Sequence, residues 1–126
     1  MINAVRLVGL VSGNLKRITT KDNNVIVNFT LVTSKTINGD ERKQYHNIAV
    51  LNKNLTKDKS ICDYITEGCL LYIEGSLETS KYQDKNGKDT YSTKIVVRDY
   101  EHTLQICKKA DELKKEQEQE QEEYVF

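Results

Sequence analysis

No apolar run in this sequence is long enough to cross a membrane, because a spanning helix needs about 20 apolar residues. The run from Leu7 to Val11 is also too short for the apolar segment of a signal peptide. Cysteine is scarce, and Cys62, Cys69 and Cys107 are an odd number without close spacing. Neither a membrane contact nor a disulfide framework is therefore expected, and the reducing cytoplasm is the predicted compartment.

The residue patterns of common enzyme and metal sites are absent too. Neither G-x-x-x-x-G-K-[ST] nor G-x-S-x-G occurs. The three cysteines and two histidines show no C-x2-C or H-x3-H spacing, so no metal site and no cofactor are predicted. His46 lies at an inward position of a predicted strand and is interpreted as a hydrogen-bonded core or interface histidine. The sequence therefore indicates a binding protein and not an enzyme.

Charge is plentiful but unevenly distributed. Charged residues make up 30% of the 126 residues, and their formal charges cancel. Residues 1–110 hold 17 Lys and Arg against 12 Asp and Glu, a net of +5, whereas residues 111–126 hold 2 against 7, a net of −5. A basic body with an acidic tail predicts a polyanionic partner and a tail that competes with it. A chain of this length is expected to form one domain with its own core.

Alternating apolar residues predict three strands in the first half of the chain. The first strand, over Ala4–Gly13 with a short continuation over Leu15–Thr20, is apolar on both faces. One face is expected in the core, which leaves the other for a subunit contact. A second strand is predicted over Val25–Thr33, a loop over Lys35–Lys43, and a third strand over Gln44–Leu51. The outward side chains of the third strand would be those of Tyr45, Asn47, Ala49 and Leu51.

Two helices are predicted, one inside the domain and one near its end. The first covers Asp58–Glu67, with Ser60 and Asp63 as its capping box. The second begins at about Thr103, and from Glu116 onward a run of Glu and Gln has nothing apolar to bury and should be mobile. The apolar stripe expected to bury the first helix consists of Ile61, Tyr64 and Ile65.

The stretch from Gly68 to Val97 predicts a long β-hairpin. Asn86 and Gly87 lie between two alternating apolar runs, and both residue types tolerate a positive φ. The first arm would be about fourteen residues long, with a bulge or bend at Gly75. Three strands, a helix and a two-strand hairpin are the order of the OB-fold, an all-β, five-stranded Greek-key barrel. An OB-fold domain is therefore predicted over residues 1–102, and a charged, helix-prone tail over residues 103–126.

The candidate binding site consists of outward tyrosines surrounded by basic residues. Tyr45 and Leu51 share the outward face of the third strand, and Tyr82 ends the outward face of the fourth. Proteins that bind single strands without sequence preference combine flat side chains, on which bases stack, with cations that follow the phosphates. The basic residues on the neighbouring loops and strand ends are Lys35, Arg42, Lys43, Lys53, Lys81, Lys85 and Lys88.

The other tyrosines are not assigned to this site. Tyr64, Tyr72 and Tyr91 are expected to pack in the core or at sheet edges. An unremarkable alternative is also open for Tyr45 and Tyr82, which would then be ordinary exposed strand residues.

The chain resembles the bacterial-type single-stranded DNA-binding proteins over roughly residues 1–98. The stretches that carry the resemblance include Val27–Leu31, Tyr45-His46, Tyr72–Gly75, Lys81-Tyr82 and Ile95–Val97. The resemblance implies an OB-fold homotetramer, cytoplasmic and associated with the nucleoid, that coats single-stranded DNA in replication, recombination and repair. It also implies a mobile acidic tail that recruits replication and repair proteins through its tip. In this chain the tip would be Glu122, Glu123, Tyr124, Val125 and Phe126.

This chain departs from the family at the positions that stack on bases. The family often has Trp where Ile37, Tyr45 and Tyr82 stand here, and Leu51 matches a Phe. Tyrosine offers less π-surface than tryptophan, and leucine and isoleucine offer none. Stacking should therefore be weaker than in a Trp-rich member.

Charge departs from the family pattern as well. Glu78 and Ser80 stand where the family often has Arg, which lowers the positive potential on the face of the fourth strand. The family's long Gly/Pro/Gln-rich linker is replaced by a short charged segment. The alternative reading is therefore an OB-fold module that binds RNA or docks proteins, with weak affinity for DNA.

Overall fold

The computed structural model describes residues 1–98 and 102–123 of the chain. Within these ranges it contains six strands, two α-helices and a short 3-10 helix. In chain order the elements are β1 Val5–Thr19, β2 Val25–Ile37, β3 Asp40–Val50, α1 Lys53–Thr56, the 3-10 helix Ile61–Tyr64, β4 Leu70–Gln83, β5 Asp89–Val97, β6 Thr103–Lys108 and α2 Ala110–Glu123.

The first five strands form a closed barrel. The strand order is β1-β2-β3-β5-β4-β6, and a further pairing of β1 with β4 closes the sheet. All neighbours are antiparallel except β3 and β5, which run parallel over Ile48–Val50 and Ile95–Val97. This is the five-stranded Greek-key arrangement of the OB-fold, so the predicted fold class is confirmed.

The barrel interior is filled by branched aliphatic side chains from every wall. Leu31, Ile48, Leu71 and Ile73 are fully buried, as is Val97 at the end of β5. No buried side-chain nitrogen or oxygen in the described residues lacks a hydrogen-bond partner. Because its interior is packed with apolar side chains and these buried polar groups are hydrogen-bonded, the barrel is a rigid support for side chains on its outer face.

The first strand runs through both of its predicted segments. β1 pairs with β4 over Val5–Leu10 and with β2 over Leu10–Thr19, and an irregularity between Ser12 and Lys16 bends it between these partners. One face enters the core. On the other face Val8 is 54% exposed and Leu10 is 45% exposed. The second apolar face that the sequence predicts is therefore uncovered in a single chain.

The loop predicted over residues 35–43 is wrong, because β2 and β3 continue into a tight hairpin. Their ladder runs to the pair Ile37 and Asp40, which leaves Asn38 and Gly39 as a two-residue turn. The φ angles of these two residues are 52° and 84°. A turn with two positive φ values follows the natural twist of the strands, so the ladder need not open.

The β4–β5 hairpin confirms the predicted arm of fourteen residues. Its turn is longer than a two-residue Asn-Gly connection: the Asp84 N–H donates to the Lys88 carbonyl, and Gly87 carries a φ of 76°. The bulge expected at Gly75 is not seen among the described pairings; β4 instead changes partner there, from β1 to β5. A Cβ at Gly75 would lie 2.6 Å from the Val96 carbonyl oxygen, so close backbone approach explains the glycine.

The single helix predicted over residues 58–67 is wrong. α1 begins earlier, where the Asn52 side chain accepts a hydrogen bond of 2.9 Å from the Asn54 N–H. Lys59 has a φ of 61°, which interrupts the helical path before the 3-10 helix begins. Two short turns therefore replace one helix.

The predicted capping box does not form either. The Ser60 hydroxyl donates to the carbonyls of Leu55 and Lys57, and it makes no cap bond to the 3-10 helix. The Asp63 carboxylate accepts from the Lys59 N–H and from Arg17 of β1, which ties this connection to the barrel. Of the predicted buried stripe, Ile65 is buried and Ile61 is half-buried, but Tyr64 is 56% exposed.

The helix predicted from about Thr103 is wrong for its first six residues, which form β6 against β4. Leu104 is buried and Ile106 is half-buried, whereas Thr103 and Gln105 between them are exposed. This alternation is that of a half-buried strand. The helix begins only at Ala110 and continues through Glu123. Neither described helix is long and apolar enough to span a membrane.

Candidate nucleic-acid interface

A cross-strand row of side chains runs over the outer face of β1, β2 and β3. Leu10 pairs with Val32, which pairs in turn with Tyr45. Beside this row lies a groove of about 520 Å³, which we call the Tyr45 groove; it is lined among others by Val8, Leu10, Val32, Lys43 and Tyr45. Tyr45 itself is 65% exposed, so its ring is available to a ligand. The groove has an apolar floor, and its charged lining residues are Lys43, Glu41 and Glu67.

A second, more polar cavity of about 340 Å³ continues along the same face. Ser12 lines both spaces and so joins them. The Lys94 Nζ lies 3.4 Å from the Asn28 Oδ1 and donates to it. Sequence reasoning did not assign this cavity, although strict alternation places Lys94 on the outer face of β5. The side chains of Ser12, Lys16, Asn28, Thr30, Asn47 and Lys94 contribute to it.

Leu51 and Lys53 belong to a third space at the end of β3. The Leu51 N–H donates to the Val97 carbonyl across 2.9 Å, which holds the two strand ends together. Here Leu51, Lys53 and Arg98 line a cavity of about 310 Å³ with residues of the β1–β2 turn, including Asp22 and Asn24. We call it the Leu51 cavity. Arg98 was not assigned by sequence reasoning, because its place beside Leu51 follows from the β3–β5 pairing.

The predicted residues on the β2–β3 hairpin lie on two faces and not on one. Lys35 pairs with Arg42 in the ladder. Because side chains alternate along a strand, Lys35, Ile37 and Arg42 share one face, and Lys43 shares the other with Tyr45. All five side chains are exposed. A ligand on the Tyr45 groove therefore meets Lys43 directly and must pass over the hairpin to reach the others.

The β4–β5 hairpin is two-faced as well. Tyr82 is 51% exposed and pairs with Thr90, whereas Lys81 pairs with Tyr91 on the opposite face. The Lys81 Nζ lies 3.1 Å from the Asp89 Oδ2. Lys85 and Lys88 lie in the turn at the tip. The tyrosine and the lysines of this hairpin are thus close along the chain without sharing one surface.

Ion pairing separates the basic residues into two kinds. Arg98 is bound to Glu78, and Lys81 to Asp89. The hydrogen bond from Arg98 holds the pKa of the Glu78 carboxyl below its ordinary value, and the same bond raises the pKa of Arg98. No ion pair to a described residue is formed by Lys35, Arg42, Lys43, Lys53, Lys85 or Lys88.

The tyrosines outside the predicted site do not all pack as expected. Tyr72 is half-buried on β4, where it pairs with Val8 of β1 and Gln105 of β6, and its hydroxyl donates to Glu74 across 3.2 Å. Tyr64 and Tyr91 are 56% and 67% exposed, so the expectation that they pack is wrong for both.

Two further expectations concern histidine and the tail. His46 is half-buried, with its Nε2 2.8 Å from the Thr33 Oγ1, which confirms a hydrogen-bonded histidine in the sheet. Glu122 and Glu123 belong to α2, whereas residues 124–126 of the predicted tip lie outside the described residues. No group of His, Cys, Asp or Glu among the described residues has the arrangement of a metal site.

A closed OB barrel whose outer face presents exposed tyrosines among basic residues is typical of OB-fold proteins that bind nucleic acids. Comparison with protein families is more specific. The model of the Single-strand binding protein family matches residues 2–103. The chain belongs to this family, which confirms the resemblance found in its sequence.

Curated relatives carry the same family name. The single-stranded DNA-binding protein of Rhizobium meliloti (strain 1021) is 37% identical over 109 residues, which cover 82% of this chain and 62% of that protein. The protein of the same name from Rickettsia conorii (strain ATCC VR-613 / Malish 7) is 33% identical over 110 residues, covering 82% of this chain and 70% of that protein. The chain therefore spans somewhat under two thirds of the first relative's length.

A solved structure shares the fold. The structure described as Plasmodium falciparum SSB complex with ssDNA matches with a TM-score of 0.75 and 22% sequence identity. The match covers 84% of this chain and 95% of the other. At this identity the likeness extends to the barrel architecture.

Proposed function

We propose that this protein binds single-stranded DNA without sequence preference. The observation that carries the proposal is the exposure of Tyr45 and Tyr82, 65% and 51%, on the outer face of an OB barrel. A tyrosine ring that is not packed against protein can stack on a base, and every base has such a face. Family membership and the names of the relatives support the same ligand.

The lysines and arginines supply the second half of the interaction. Basic residues that form no ion pair with another described residue, such as Lys43 beside Tyr45 and Lys53 beside Leu51, can neutralise phosphates and release their counterions. The logarithm of the binding constant then falls by about 0.7 per neutralised phosphate for each tenfold rise in salt. Leu51 and Ile37 contribute apolar contact without a π-face, so the affinity depends chiefly on the two tyrosines and the cations.

We further propose that the protein coats and protects single-stranded DNA during replication, recombination and repair, in the cytoplasm and on nucleoid DNA. A sequence-tolerant interface suits this task, because exposed strands of any sequence must be covered. The acidic tip would recruit replication and repair proteins. Phe126 would offer a ring to a hydrophobic pocket and its carboxylate to a basic rim.

The proposed assembly is a homotetramer. Val8 and Leu10 of β1 lie exposed beside Val32 and Leu70 along the Tyr45 groove. A single barrel has only one core, and a contiguous apolar strip on its outside is suited to a subunit contact. Tyr45 lies at the rim of this strip, so DNA and the subunit contact would share a border.

The test compares oligonucleotides of equal length in which only the sugar or the sequence changes. Fluorescence anisotropy would be measured for three labelled oligonucleotides over a series of lengths. They are oligo-dT, a DNA of mixed sequence and an RNA of that same mixed sequence. The proposal expects similar affinity for both DNA sequences and tighter binding to DNA than to RNA. Tighter binding to RNA, or no binding to either polymer at low salt, would instead support the alternative of an RNA-binding or protein-docking OB module.

A further inference from the structure

An exposed ion pair near the Leu51 cavity joins Glu78 of β4 to Arg98, the residue that follows β5. The Arg98 guanidinium donates from Nε to the Glu78 Oε2 across 2.7 Å and from Nη2 to the Oε1 across 2.6 Å. The side chains are 52% and 36% exposed, so solvent and ligands reach both of them. This is the parallel, two-bond geometry with which arginine binds carboxylates and phosphates.

The backbone fixes where this arginine can act. Arg98 directly follows β5, and the Leu51 N–H is bonded to the carbonyl of the preceding Val97. The Arg98 N–H donates to the His102 Nδ1 across 2.8 Å. Arg98 lines the Leu51 cavity together with Lys53, and Asp22 is the acidic residue of the same lining.

We propose that Arg98 is a further phosphate-binding residue of the Leu51 cavity, and that Glu78 competes with the DNA phosphate for its guanidinium. The inference rests on the proposed function and adds a residue pair to it. A nucleotide in the cavity would place its base against Leu51 and its phosphate between Lys53 and Arg98. In the complex the phosphate would accept the two hydrogen bonds, from Nε and Nη2 of Arg98, that Glu78 accepts in the free protein.

The exchange is feasible because the pair it replaces is weak. An exposed ion pair contributes little net free energy, since both charges are well solvated when apart. A phosphate offers arginine the same two-oxygen geometry with at least as much charge. Glu78 is ionised near neutral pH, as an ordinary glutamate is, and the hydrogen bond from Arg98 lowers its pKa further, so the competition persists under ordinary conditions. Glu78 thus lowers the affinity of the protein for single-stranded DNA.

A double-mutant cycle tests the inference, with labelled oligo-dT as the probe and a series of salt concentrations. Glu78→Gln keeps the shape of the side chain and removes its charge. This variant should bind oligo-dT more tightly at low salt, by up to about fivefold, the factor that corresponds to an exposed ion pair. The slope of the logarithm of its binding constant against the logarithm of the salt concentration should become more negative by about 0.7. That change corresponds to one additional neutralised phosphate on a single strand.

The arginine variants identify the source of the gain. Arg98→Gln alone should weaken binding, because the phosphate loses the guanidinium while the Glu78 carboxylate remains nearby without its partner. Combined with Glu78→Gln, it should abolish the gain in affinity and in slope. Arg98→Lys in the same background should keep only part of the gain, since lysine lacks the two-bond geometry. Asp58→Asn serves as the charge control, because Asp58 is exposed and has no ion pair with a described residue.

The outcomes separate this inference from the function on which it rests. Salt-dependent binding by the native protein, together with unchanged affinity and slope in Glu78→Gln, would overturn the inference alone. A gain that survives Arg98→Gln, or that Asp58→Asn reproduces, would overturn it too, because overall charge would then be the cause. Failure of the native protein to bind oligo-dT at low salt would overturn the proposed function and this inference with it.

Discussion

The three cysteines differ in how far their sulfur atoms lie from solvent. Cys62 and Cys69 are 2% and 0% exposed, whereas Cys107 on β6 is exposed. Burial raises the pKa of the Cys62 thiol from its ordinary value of 9.0 to about 11, and the nearby Arg17 opposes this only in part. Because the thiolate is the reactive form, Cys62 should be inert at neutral pH.

Thiol titration of the native protein at pH 8 should therefore show one fast-reacting group. Cys107 reacts because it is exposed, while the two buried thiols react only after denaturant unfolds the barrel. A disulfide-exchange reagent with a coloured product measures both phases. Cys107→Ser is the control and should abolish the fast phase. Two or three fast thiols in the native protein would contradict the described packing.

Predictability from sequence varies from residue to residue. Strand alternation alone predicts that Tyr45 and Tyr82 point outward, because every second side chain of a strand lies on the same face of the sheet. The exposure of Tyr64 and Tyr91 was not predicted, because both were expected to pack in the core or at sheet edges. The Glu78–Arg98 pair joins the middle of β4 to the end of β5, and it depends on the pairing of these strands, which no local pattern encodes.

The six residues of β6 extend the barrel along β4. Leu104 points inward and is 6% exposed, so it belongs to the core that the first five strands share. Lys108, the last residue of β6, forms an ion pair with Glu116 of α2. The segment after the barrel is thus attached to the sheet at two places and is not an independent tail at its start.

Leu104→Ala should lower the free energy of unfolding by roughly 2–5 kcal/mol, the usual cost of this truncation in a core. The matched control is Gln105→Ala in the same strand, which is exposed and should change stability by about 0.5 kcal/mol or less. Urea denaturation followed by circular dichroism measures both variants. Similar small effects for the two would show that β6 is not part of the core.

Strands were easier to predict than the pieces between them. The long β4 arm and the two segments of β1 follow from alternation over many residues, which is a strong signal. The β6 strand was not predicted because Ile106, Ala110 and Leu113 also match the spacing of a helix. Only the pairing of residues 103–108 with β4 shows that this segment is a strand. The short turns around α1 depend on a cap at Asn52 and a positive φ at Lys59, which a helix-length pattern does not reveal.

At the scale of the whole molecule, the exposed face of β1 predicts self-association. Light scattering at micromolar concentration should report a mass near four subunits. Val8→Lys places a charge in the middle of the proposed contact and should lower the mass. Ile18→Lys is the matched control, because Ile18 is 51% exposed on the same strand but lies at its far end, opposite Ile26. A native monomer, or equal effects of the two variants, would contradict the assembly.

The acidic tail predicts two separable effects of deletion. Removing residues 116–126 should leave DNA binding intact or slightly tighter, most visibly at low salt, because a competing negative segment is lost. Removing Phe126 alone should leave DNA binding nearly unchanged and abolish recovery of replication and repair proteins in a pull-down. Recovery of the same partners without Phe126 would show that another surface recruits them.

The most direct measurement of the central claim is oligo-dT binding by the two tyrosine variants. Tyr45→Ala and Tyr82→Ala should each lose roughly 1–3 kcal/mol of binding free energy, the value of one stacked base. Tyr64→Ala is the control, since Tyr64 is 56% exposed but lies on the 3-10 helix, away from the outer face. Tyr64→Ala should bind oligo-dT like the native protein at every salt concentration. Native-like binding by both Tyr45→Ala and Tyr82→Ala would contradict the claim that bases stack on this face.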